Sequence, residues 1–191
     1  MKLKIIASAL VLSSTVLAGH ALASDGTVHF RGEVIDSTCE VTADTNDQNV
    51  DLGKVNTTAF TGVGSTAAPT EFNIDVVKCP ATIKTTAIRF DGTEASDGNG
   101  DLAIGNPTET GTPGDYTGDG TDPTTATGVA IRIYNSEDNS QVELYKDSLP
   151  VAVNASGEAS MKFIARYIAT NATVTPGTAN ADSQFTVEYT K

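Results

Sequence analysis

Cysteine and histidine are the side chains best suited to chemistry here, and the chain has two of each: Cys39 and Cys79, His20 and His29. A zinc centre asks for more nitrogen and sulfur ligands than these can bring together. A Ser-His-Asp arrangement would have to use His29, which alternates out of an apolar strand face. Carboxylates gather in one acidic stretch with no apolar walls to raise a pKa, so paired acid–base work is not indicated. Within that stretch, Asp97, Asn99 and Asp101 match the first three ligand positions of an EF-hand loop. Leu102 then stands where the turn needs glycine, and Thr108 where the bidentate glutamate belongs. The stretch therefore reads as a solvated acidic loop. No G-x-G-x-x-G precedes a helix. The sequons at Asn56, Asn154 and Asn171 read as coincidences of a Thr- and Ser-rich chain. These readings leave no enzyme, no metal and no cofactor.

The fate of the two cysteines depends on compartment. Met1-Lys2-Leu3-Lys4, an apolar run over residues 5–18 and Ala21-Leu22-Ala23 form the three parts of a secretory signal, with cleavage expected after Ala23. The run is too short and too rich in Ser and Ala for a good membrane span. Export brings the chain into an oxidising space, where Cys39 and Cys79 should pair; two free thiols are the alternative. Closing a loop of that length is worth about 4 kcal/mol by chain entropy.

The elements that must position these residues are strands. Apolar residues recur at every second position in Val28/Phe30/Gly32/Val34, Phe72/Ile74/Val76, Val129/Ile131/Ile133, Met161/Phe163/Ala165/Tyr167 and Phe185/Val187/Tyr189. Shorter candidates are residues 50–55, 86–90 and 141–144. No stretch sustains helical spacing, and residues 66–69 are too few for a stable helix. Short strands, turn signals and a disulfide indicate an antiparallel β-sandwich. Residues 91–128, rich in Gly, Asp, Thr and Pro, read as a long surface excursion between two strands. The 191 residues suit one domain. A net charge of −12 argues against nucleic acid as a partner.

Three blocks, in order behind a signal segment, carry a resemblance. They are residues 26–35 leading to Cys39, Phe72-Asn73-Ile74-Asp75 leading to Cys79, and a C-terminal set. That set contains Ala165-Arg166-Tyr167, Pro176-Gly177, Ala179-Asn180-Ala181-Asp182 and Phe185-Thr186-Val187-Glu188-Tyr189. Together they resemble the pilin subunits of chaperone–usher fimbriae, especially the type 1 major subunit. The resemblance implies an all-β, incomplete immunoglobulin-like sandwich that lacks its last strand and is completed by a donated one. It implies residues 1–23 as signal, 24–35 as donor extension and 36–191 as pilin domain. Val28, Phe30, Gly32 and Val34 would be donated. Phe185, Val187 and Tyr189 would line the acceptor edge, and Gly177 and Tyr189 map onto the family's chaperone-recognition region. The implied partners are neighbouring pilin subunits, a periplasmic chaperone and an outer-membrane usher, and the implied location is the cell-surface fimbria. A minor tip or adaptor pilin, with binding confined to the 91–128 loop, is the alternative.

Overall fold

The computed structural model describes residues 28–29, 31–32, 38–105 and 125–191. The chain divides between Val34 and Ile35, and the strands described here lie in the second unit. In chain order they are β1 (Glu40–Val41), β2 (Thr66–Val77), β3 (Thr85–Asp91), β4 (Val129–Asn135), β5 (Gln141–Val142), β6 (Val151–Ala152), β7 (Ala159–Ala169) and β8 (Gln184–Thr190). Among the described residues, helix is confined to α1 (Ala43–Asn46) and a 3-10 turn at Thr57–Ala59. One sheet runs β1-β2-β7-β4-β5 and the other β6-β3-β8, with every pairing between these strands antiparallel.

The period-two pattern turns one face of each strand inward. Ile74, Val76, Ile131, Ile133, Met161 and Phe163 from the five-stranded sheet are buried, as are Ile88 and Phe90 from the other. Phe90 meets Phe163 edge-on at 5.1 Å between ring centroids and Phe72 at 6.1 Å. This aromatic group joins the two layers, in an arrangement that favours ring edges against ring faces. In β2 the register slips between Ala67 and Thr70, with Ala68 at φ 53°. Pro69 has no N–H to give the ladder, so a bulge forms beside it.

Three expectations need correction. Residues 50–55 form no strand. The Asp51 carboxylate accepts from Gly53 N–H at 2.8 Å, and Gly53 takes φ 65°, which turns the chain. Val50 and Leu52 still pack on the core. The 141–144 candidate stops after Val142, because the chain turns there and Tyr145 adopts φ 64°.

The third correction concerns the acidic excursion. Residues 106–124 lie outside the described residues; residues 93–100 form the largely exposed loop expected, but residues 101–105 return to the core. Leu102 and Ile104 are buried, and Leu102 exchanges backbone hydrogen bonds with Ile131 in β4 at 2.8 and 2.9 Å. The Asp101 side chain is fully buried and receives Arg132 bidentately at 2.6 and 2.7 Å. Burial pushes the Asp101 carboxyl up, and the Arg132 guanidinium beside it pulls the other way. The pair satisfies what would otherwise be an isolated buried charge. It also commits both carboxylate oxygens that a calcium ion would have needed.

Candidate subunit-assembly site

Strand β8 is held on one side by β3, with Phe90↔Phe185, Ile88↔Val187 and Thr86↔Tyr189 as register partners. Partners across an antiparallel pair share a face. The β3 members of these pairs are buried, with Thr86, Ile88 and Phe90 between 0 and 4% exposed. Their neighbours Phe185, Val187 and Tyr189 are half-buried and pack against the same core. The cause is topological: β3 has β6 and β8 beside it, whereas the other edge of β8 has no strand among the described residues. The result is a seven-residue edge with no strand laid along it among the described residues, and an apolar inner face. On the outer face, Glu188 pairs with Arg89 at 2.5 Å.

Tyr189 closes this edge near the domain entrance. Burial pushes its phenol up, opposed by a hydrogen bond with the Thr38 side chain. One residue further on, Cys39 is bonded to Cys79 with Cα atoms 4.1 Å apart. The disulfide joins the beginning of β1 to the end of β2, two neighbouring strands. Both sulfurs sit in the core. Gly157, at φ 77°, packs its backbone on Cys79; a Cβ there would come within 2.9 Å of the Cys79 carbonyl oxygen.

Gly177 stands apart from the β8 face. It lies exposed in the approach to the strand, lining a cleft of about 390 Å³ with Phe60, Tyr167 and Val174. The cleft wall is fixed by Tyr167, whose hydroxyl donates to the Ala179 carbonyl at 3.1 Å, and by bridges tying residues 175 and 178 to 127 and 125. Sequence reading missed this cleft, because Phe60 and Val174 sit in irregular segments where no period marks an inward face. Of the expected donor positions, Val28 and Gly32 are exposed and belong to no strand or helix. Phe30 and Val34 lie outside the described residues.

Comparison with known proteins decides the family. The fimbrial protein family matches residues 28–190. The chain belongs to the fimbrial protein family. It is 40% identical over 190 residues to a type-1 fimbrial protein subunit of Serratia marcescens, covering 95% of each chain. It is 36% identical over 196 residues to the type-1 fimbrial protein A chain of Escherichia coli K12, covering 99% of this chain and all of the other. Among solved structures, the type I fimbria protein of Burkholderia pseudomallei superposes with a TM-score of 0.54 at 32% identity, covering 81% of this chain and 91% of that one. The P pilus rod subunit PapA superposes at 0.60 with 18% identity over 81% of this chain and all of that one, a likeness of fold. The fold of this fimbrial protein is thus the immunoglobulin-like sandwich of pilin subunits. The family is one of structural subunits and not of enzymes.

Proposed function

We propose that this fimbrial protein is the repeating subunit of a cell-surface fibre, polymerising by donor-strand exchange through the chaperone–usher pathway and serving cell adhesion. The observation that carries the reading is the β8 edge with no strand beside it among the described residues, where Phe185, Val187 and Tyr189 stay half-buried beside fully buried partners in β3. An extended segment laid along that edge would complete the ladder and cover the apolar face, which is how strand addition gains both affinity and specificity. A periplasmic chaperone would supply that strand first. The residue 24–35 segment of the next subunit would replace it at the outer-membrane usher.

Within that segment, Val28, Phe30, Gly32 and Val34 would face the groove and His29 and Arg31 the solvent. Gly32 suits a place where backbones approach closely. The segment precedes Cys39, so donating it leaves the disulfide-closed frame intact.

Deleting residues 24–35 from the exported chain tests this. The variant should still be recovered with its chaperone and should form no fibres by electron microscopy. Phe30→Asp should also block assembly, by burying a charge without a partner, while Arg31→Ala should not. Normal fibres from the deletion, or equal damage from the two substitutions, would overturn the reading. Immunogold label along whole rods supports the repeating subunit; label confined to fibre ends would instead assign a tip or adaptor role.

A further inference from the structure

Asn99 is the single asparagine of this sequence followed by glycine. Glycine presents the least hindered backbone nitrogen, so this dipeptide is where a chain most readily attacks its own side-chain amide. The fold requires the glycine. Gly100 adopts φ 72°, and a Cβ on it would lie 2.7 Å from the Glu143 Cβ, so a side chain here is both strained and obstructed.

The surroundings are arranged for more than a turn. Residues 94 and 102 form a bridge, and Ala95 N–H donates to the Asp101 carbonyl at 2.8 Å, closing the loop at its base. Asn99 is exposed at its tip. Its side-chain nitrogen donates to Asp97 Oδ2 at 3.0 Å, which orients the amide. Its carbonyl accepts from Gln141 Nε2 at 2.7 Å, and the Gly100 carbonyl accepts from Leu144 N–H at 3.0 Å. The Gly100 N–H points at Glu94 Oε1, 3.0 Å away. Its acceptor is thus a carboxylate, which can take up a proton, and not a ladder carbonyl.

We propose that Asn99-Gly100 is a self-modification site, at which the folded subunit deamidates with Glu94 as the base. Glu94 takes the Gly100 amide proton as that nitrogen bonds to Asn99 Cγ. The Cγ–Nδ2 bond then breaks, and the proton leaves with ammonia, giving a cyclic imide. Water opens either imide carbonyl and yields aspartate or, with the backbone rerouted through the side chain, isoaspartate. One water is consumed and one ammonia released; nothing is oxidised or reduced. The new carboxylate faces Asp97, where the amide now donates. The isoaspartyl product lengthens the backbone two residues before Asp101, the buried partner of Arg132.

The folded subunit, purified and held at neutral pH, is followed by peptide mapping with isoaspartyl methylation as a second readout. The same chain, reduced in denaturant, runs in parallel. Conversion is expected at Asn99 in the folded protein and is abolished in Asn99→Gln. Glu94→Gln, which keeps an acceptor but not the base, should slow the folded reaction several-fold while leaving the denatured rate unchanged. Asn99 staying intact in the folded subunit while the denatured chain converts would overturn the proposal. So would a Glu94→Gln variant that deamidates at the parent rate when folded.

Discussion

Strands β7 and β8 both carry apolar residues at every second position, yet β7 lies between β2 and β4 whereas β8 has β3 alone beside it among the described residues. Met161 and Phe163 in β7 are each 1% exposed. Phe185 and Val187 in β8 are half-buried. Alternation decides which face of a strand turns inward; how deeply that face is buried depends on what flanks the strand. A regular apolar pattern on a strand with one neighbour among the described residues therefore marks a face that a further strand could cover.

The comparison breaks most visibly in the core. Phe163→Ala in β7 should cost about 3–5 kcal/mol, since it opens a cavity among Phe72, Phe90 and their surroundings. Phe185→Ala in β8 should cost roughly 1–2 kcal/mol in the lone subunit, because part of that surface is already wet. Chemical denaturation of the two variants checks the ordering, and equal losses would mean that β8 is as enclosed as β7.

A second measurement sharpens the contrast without a mutation. Backbone amides of β7 should be protected from hydrogen exchange in the lone subunit, while those on the free edge of β8 exchange fast. A peptide of residues 24–35 should raise protection in β8 and leave β7 nearly unchanged. The smallest effect belongs to the outer face. Glu188→Gln loses a half-exposed pair with Arg89 and should shift stability by less than about 1 kcal/mol, measured by the thermal midpoint.

Much of this was legible in the residues. The long strands announce themselves by period, and the disulfide follows from two cysteines in a chain read as exported. What stayed hidden had short or irregular local signals. β1 and β6 are two residues each, too short for any period. Residues 50–55 alternate plausibly, yet an Asp51–Gly53 turn overrides them. The burial of Asp101 could not be read from its acidic surroundings, because its partner Arg132 is 31 positions away. The edge status of β8 is likewise a property of topology, and only the resemblance to pilins pointed to it.

The position of the disulfide bears on how the domain carries tension. Strand β1 is held to β2 by two register pairs, Glu40↔Val77 and Val41↔Val76, a contact that a pull on the preceding chain would peel apart. Cys39 stands just ahead of those pairs and is anchored to Cys79 beyond the far end of β2. A load arriving from residue 38 thus crosses a covalent bond before it reaches any β1 hydrogen bond. It then enters β2, whose ladder with β7 runs from Val76↔Ala159 to Thr66↔Ile168. Force is delivered to the middle of the five-stranded sheet, and the two-residue β1 is spared from bearing it.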